Sequence, residues 1–308
     1  MRQDYVHCAT KEGYHHIAYT EWGTYTYDEE HPSAVVCVHG LTRNSRDFDA
    51  LAAFLSTQAN RHVFCPDVVG RGDSSWLKDP HGYTFERYIM DMNVLIARTA
   101  ATHIDWIGTS MGGLIGIMLA ALPHSPIRSL VLNDVSPQVP IHALWEMAKY
   151  VGKDPEFSSK NQAKEHYKKI YAEFGPLTDE QWDYFTEHSI KEISPNVYIS
   201  KFDPNIHDFR LTWQSVKEFF YNPHKALEGV FFDVDLWSIW QNVKCPVLVI
   251  RGAKSSLLLP EHVKRMQRTH SHVDLFEVEN AGHAPALLDH HQQEKIAVWL
   301  HSVENSKE

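Results

Sequence analysis

The stretch Ile107-Gly108-Thr109-Ser110-Met111-Gly112-Gly113 decides how the rest of this chain is read. It has the form Gly-x-Ser-x-Gly and stands between two apolar segments. Ile104 to Ile107, with Trp106, reads as a buried strand, and Leu114 to Leu122 as a helix apolar on every face. A sharp strand-to-helix turn would hold Ser110 in a strained conformation with its hydroxyl clear of the backbone. The small residues Gly108 and Gly112 let neighbouring backbone pass close to that turn. The N–H of Met111 opens the helix and points toward an anion forming beside Ser110. A serine so placed is built to attack a carbonyl, provided a base and a second anion donor lie elsewhere in the chain.

The surrounding sequence narrows the class. The chain has 308 residues, 43% hydrophobic and 22% charged, which is ordinary globular composition. Its net charge of -10, with 39 acidic against 29 basic residues, argues against nucleic acid or an anionic membrane as a partner. The four cysteines, Cys8, Cys37, Cys65 and Cys245, form no Cys-x-x-Cys pair, so neither a zinc site nor a redox motif is expected. Cys37, Cys65 and Cys245 read as buried thiols. Met1 to Gly13 is polar without a signal core, and no stretch reaches the roughly 18 apolar residues of a membrane helix. The expectation is a cytoplasmic protein, a monomer or homodimer. Histidine is abundant, with 21 residues. The pairs His15-His16, His290-His291 and His270 with His272 lack a partnering carboxylate or cysteine cluster, so no metal and no cofactor is expected.

Outward from the serine, strands and helices alternate. Tyr14 to Trp22 reads as a half-buried strand, Asp28 to Pro32 as a turn, and Ala34 to Val38 as a strand covered on both faces. Arg46 to Gln58 has helical spacing. His62 to Cys65 is the next strand, Phe85 to Ala101 an amphipathic helix, and Arg128 to Asn133 a strand after the serine helix. The pattern resumes late: strand Pro246 to Ile250, helix Pro260 to Thr269, strand Val273 to Val278, helix Gln292 to Val303. Such alternation predicts an α/β fold with a mostly parallel central sheet flanked by helices. Between Pro137 and about Val243 it stops, and the segment reads as several helices, with Trp145, Trp182, Trp213, Trp237 and Trp240 mostly in its own core. The division expected is a core of residues 1–136 and 244–308 and a helical cap of residues 137–243. The cap would overhang the carboxyl ends of the strands, where open α/β sheets bind ligands.

Two further segments carry chemistry. His283 stands in the small-residue loop Asn280-Ala281-Gly282-His283-Ala284-Pro285, after the last strand, where an imidazole can reach a serine. His39-Gly40-Leu41 ends an early strand, and the Leu41 N–H is the second candidate donor, beside Met111, for an oxyanion hole. Asp73 and Ser74 are read as shaping the glycine-rich loop, and Asp289 as helping to start the final helix.

Taken together, Val38-His39-Gly40-Leu41, Pro66-Asp67 with Gly70-Arg71-Gly72-Asp73-Ser74, Gly108 to Gly113 and Gly282-His283 resemble the α/β-hydrolase superfamily in its serine-nucleophile, carboxylesterase-like form with a helical cap. The resemblance spans most of the sheet and does not extend to the cap. It implies Ser110 as nucleophile, His283 as base, Leu41 and Met111 as the oxyanion hole, and a cap inserted before the last two strands. The acid departs from the pattern: the family's Asp position is occupied by Ser256. Relatives that place the acid after the strand preceding the cap point to Asp134. The other readings are a Ser110–His283 dyad, with Ser256 or water holding the imidazole, and an impaired form.

The function expected is hydrolysis of a carboxylic ester or related acyl compound, small and apolar, through a Ser110 acyl-enzyme. The alternatives on the same site are carbon–carbon bond hydrolysis, perhydrolysis, and a binding protein that has lost its chemistry.

Overall fold

The computed structural model describes residues 1–24, 32–139, 155–207 and 234–305. The turn expected from Asp28 to Pro32 falls, but for Pro32, outside the described residues, as do Trp145 and Trp213.

Eight strands form one sheet: β1 (Arg2–Thr10), β2 (Gly13–Trp22), β3 (Ser33–Val38), β4 (His62–Pro66), β5 (His103–Thr109), β6 (Ile127–Asn133), and, after the insertion, β11 (Val247–Gly252) and β12 (Val273–Val278). Their spatial order is β1-β2-β4-β3-β5-β6-β11-β12. The pairs β1–β2 and β2–β4 are antiparallel, and every pair from β4 to β12 is parallel. The apolar runs of β3, β4, β5 and β6 are buried on both faces because helices cover both sides. The N-terminal strand β1 has no counterpart in the sequence reading: its residues are mostly polar because it lies at the sheet edge, paired only with β2.

One face of the sheet carries helices α2 (Phe85–Thr99) and α3 (Met111–Ala120) in a cluster with Val36, Phe64, Trp106 and Leu130. The other carries α1 (Asp49–Gln58) and the last helix, α7 (His290–Asn305), against Val35, Val63, Ile107 and Val131. Thr84 caps α2 by accepting from the Arg87 N–H. Asp289 does the same for α7, accepting from the His291 and Gln292 N–H groups. In α3, nine of the ten residues are buried, which explains a helix with no polar face.

Between β6 and β11 the chain leaves the sheet. The described part holds helices α4 (Lys160–Ile170) and α5 (Asp179–Ser189) and, contrary to an all-helical reading, an antiparallel hairpin of β8 (Ile190–Ser194) and β9 (Val197–Ser200). Two-residue strands β7 (Gln138–Val139) and β10 (Val234–Asp235) pair at its base. After it, α6 (Pro260–Thr269) joins β11 to β12. Phe157, Tyr167, Tyr171, Trp182 and Phe185 form the insertion's own cluster. Trp237 and Trp240 do not join that cluster; they pack into the main core beside α3, because the chain has already returned to the sheet by that point. The insertion is tied over the strand ends by bonds from Arg43 Nη1 to Ser189 Oγ (2.8 Å), Asn44 Nδ2 to the His188 carbonyl (2.9 Å), Gly72 N–H to the Lys201 carbonyl (2.7 Å) and Tyr83 hydroxyl to Asp203.

Candidate active site

The turn after β5 has the predicted form. Ser110 sits at φ 49°, ψ -113°, in the left-handed half of backbone space, and α3 starts at the next residue. Such a backbone is strained for serine and persists only where its surroundings hold it. Close packing does so here. A Cβ on Gly112 would collide with the Val38 carbonyl, and one on Gly108 with the Gly112 backbone. The Trp106 indole N–H donates to the Gly112 carbonyl at 2.9 Å, and the Ser110 N–H to the Asn133 carbonyl at 3.0 Å. The turn is thereby bonded to β6, which ends one residue before Asp134.

Ser110, His283 and Asp134 come together from three loops. Ser110 Oγ is 3.0 Å from His283 Nε2, and His283 Nδ1 is 2.8 Å from Asp134 Oδ2. A carboxylate only accepts, so Nδ1 carries the ring proton and Nε2 is left to accept from the serine hydroxyl. Asp134 is fully buried. Its Oδ1 accepts from the Gly252 N–H at 2.9 Å, and its Oδ2 also accepts from the Ser255 hydroxyl at 2.5 Å. Ser256, at the family's customary acid position, is exposed. The end of β11 and the loop after it thus supply two donors to the carboxylate that follows β6, in place of a carboxylate of their own. Nothing in the local sequence singles out Ser255; its neighbour Ser256 carried the expectation.

The His39-Gly40-Leu41 turn forms the facing wall. His39 is buried, and that burial pushes its pKa down to about 3, so it stays neutral. Its Nε2 accepts from the Val68 N–H at 2.9 Å, and its Nδ1 donates to the Gly40 carbonyl at 2.7 Å. The Arg43 N–H also reaches that carbonyl, at 3.2 Å. The Gly40 carbonyl and the Leu41 N–H belong to one rigid peptide plane. Two bonds at one end therefore orient the candidate donor at the other. Arg71, wholly buried, adds a third restraint from Nε to the Leu41 carbonyl at 2.8 Å. Met111 begins α3, so its N–H belongs to the first turn, whose N–H groups have no partner within the helix.

The Gly-x-Gly-Asp-Ser loop is structural. Asp67 accepts from the Ser45 and Asp73 N–H groups at 2.7 and 2.8 Å, while burial raises its pKa to about 6. The Ser74 hydroxyl donates to the Asp67 carbonyl. Asp73 pairs with Lys201 of the insertion.

A cavity of about 110 Å³ opens on Ser110 and His283. Leu41, Ile170, Tyr171, Phe174, Phe185 and Leu287 give it an apolar lining, with Arg43, Arg46 and His188 among the polar groups. Arg43 is held within the wall, its guanidinium paired with Asp47 and stacked 3.5 Å over Phe185. Trp182, Trp237 and Trp240 are buried and take no part in this lining.

Among the described residues, one group of potential metal ligands converges: Cys8, His15 and Asp91, all buried between β1, β2 and α2. His15 Nε2 lies 2.9 Å from Asp91 Oδ2, and His15 Nδ1 is buried without a partner, so His15 has the carboxylate and cysteine neighbours that its sequence context did not show. Cys8, Cys37 and Cys65 are buried free thiols, and Cys245 is half-buried. No helix among the described residues is long and apolar enough to cross a membrane.

Comparison with known proteins agrees with this architecture. A family model for the α/β hydrolase fold matches residues 33–290. The chain is 39% identical over 292 residues to the 3-hydroxybutyrate-oligomer hydrolase of Cupriavidus necator, covering 94% of each protein. Among solved structures, a Rickettsia typhi protein classed as a hydrolase superposes with a TM-score of 0.84 at 32% identity, over 98% of this chain and 99% of that one. An α/β hydrolase from Novosphingobium aromaticivorans gives 0.78 at 29% identity, over 97% and 98%. The strand order, the strained serine turn and these likenesses together make the chain a hydrolase that belongs to the α/β-hydrolase fold family.

Proposed function

We propose that the protein hydrolyses short oligoesters of hydroxy acids by a serine acyl-enzyme route. The observation that carries this reading is the continuous hydrogen-bond path from Ser110 through His283 to the buried Asp134. In it, Ser110 Oγ attacks the ester carbonyl and passes its proton to His283 Nε2. The Leu41 and Met111 N–H groups bind the oxygen as it becomes negative. His283 returns the proton to the leaving alcohol, then takes one from water, which attacks the acyl carbon; the acyl–oxygen bond breaks and His283 gives that proton back to Ser110 Oγ. Asp134 fixes the tautomer and balances the imidazolium.

The substrate class rests on the likeness to a 3-hydroxybutyrate-oligomer hydrolase over nearly the whole of both chains. A small, mostly apolar cavity suits a short acyl unit. The insertion, of which residues 155–207 are described between β7 and β10, acts in this reading as a lid that excludes water and bounds the acyl length. The buried carboxylate on His283 speaks for a working enzyme over a pocket that only binds.

The test is release of monomer from the dimer and trimer of 3-hydroxybutyrate, followed chromatographically. Wild type is expected to cleave both, and Ser110→Ala neither. Cleavage by Ser110→Ala at the wild-type rate would refute the route. A wild type that cleaves p-nitrophenyl butyrate and leaves the oligomers intact would refute the substrate class alone.

A further inference from the structure

We propose that Glu173 is a positioning residue for His283, so that the insertion as well as the sheet sets the imidazole against Ser110. The proposal rests on the role given to His283 above. Glu173 lies in the single turn Ala172–Phe174 that follows α4. Three N–H groups of the histidine loop end on this turn. Gly282 donates to the Glu173 carbonyl at 2.7 Å, His283 to Glu173 Oε2 at 3.0 Å, and Ala286 to the Phe174 carbonyl at 3.2 Å.

From the opposite side the loop is held by the sheet, where the Lys254 N–H reaches the Ala281 carbonyl at 2.9 Å. The loop is therefore gripped between β11 and the insertion. Gly282 has a reason in this arrangement. A Cβ there would stand 2.7 Å from Glu173 Oε2 and 3.0 Å from Glu173 Cβ. Glycine leaves the space that Glu173 fills.

Both ring nitrogens of His283 are committed, to Ser110 and Asp134. What remains to be fixed is the backbone from which the ring extends, and Glu173 binds that backbone at its N–H. A carboxylate accepting from an amide is among the stronger hydrogen bonds. Glu173 is outside the pocket lining and acts on no reacting atom. Its effect passes through the placement of the imidazole, where an error of about 1 Å costs on the order of a hundredfold in rate.

The test compares Glu173→Ala and Glu173→Gln with wild type in hydrolysis of p-nitrophenyl butyrate, in fluorophosphonate labelling of Ser110, and in amide hydrogen exchange at His283. Glu173→Ala is expected to lower kcat and the labelling rate by about tenfold or more, with KM within about twofold. Glu173→Gln, whose amide oxygen accepts the same bond, is expected to recover both to within about threefold. A merely structural role would lower Tm and the labelled fraction and leave turnover per labelled site intact. Unchanged turnover per labelled site in Glu173→Ala overturns the proposal, as does a Glu173→Gln enzyme as slow as Glu173→Ala. Failure of the hydrolase reading looks different, because wild type itself then neither labels nor turns over. In that case exchange at His283 decides: about tenfold faster in Glu173→Ala supports the positioning role, and an unchanged rate overturns it.

Discussion

Asp134 takes three donors on its two oxygens, from His283, Gly252 and Ser255, and none of its surface is open to water. Removing its charge leaves the histidine free to take the wrong tautomer. Asp134→Asn should lower kcat by about a thousandfold or more, as loss of the acid does in triads of this kind. Ser256→Asp should not restore turnover in that background, because residue 256 faces solvent. Steady-state kinetics of the single and double variants check both points. Ser255 is the less visible partner. Its hydroxyl donates to Asp134 and accepts from the Leu257 and Leu258 N–H groups. Ser255→Ala should cost on the order of ten- to a hundredfold in kcat with KM little changed, the value of one hydrogen bond to a charged group. The Ser110 turn and the His283 loop were legible because their motifs are local. Asp134 was legible only as a candidate among others, since its bonds to Gly252 and Ser255 need the end of β11 beside that of β6. The contacts of Ser255, Arg71 and Glu173 were not legible, because each forms only when distant segments meet.

Among the elements, the β5–α3 turn is the least tolerant. Gly112 lies against the Val38 carbonyl, at the end of the strand that leads into Leu41, the proposed second donor. Gly112→Ala forces β3 and α3 apart. It should destabilise the fold by about 3 kcal/mol or more, read as a lowered urea midpoint. The parallel strands were readable from their apolar runs, since burial on both faces favours apolar residues. Strand β1 was missed because an edge strand with an exposed face carries polar residues. The β8–β9 hairpin was missed for a related reason. Its residues are mostly exposed or half-buried, with no alternation strong enough to mark a face.

At the scale of the whole molecule, two buried groups near the site oppose each other in pH. Folding lowers the His39 pKa from 6.5 to about 3, so below about pH 6.5 the unfolded chain takes up a proton that the folded chain refuses. Stability from His39 is therefore full above that pH and falls as acid is added. Folding raises the Asp67 pKa from 3.8 to about 6. As pH falls through about 6 the folded state takes up the proton first, and stability is gained. Between pH 6.5 and 5 each contributes about 1–2 kcal/mol with opposite sign, so these two terms largely cancel. Urea unfolding across this range should separate them. Relative to wild type, Asp67→Asn should lose stability toward pH 5, and His39→Gln should gain it. Parallel curves for all three proteins would refute the assignment.

The joining of Ser110, His283 and Asp134 into one acting unit is tested most directly by fluorophosphonate labelling with peptide mapping. The account predicts one adduct per chain, on Ser110, formed about a thousandfold or more slowly in Asp134→Asn. An adduct elsewhere, or Asp134→Asn labelled at the wild-type rate, would contradict it.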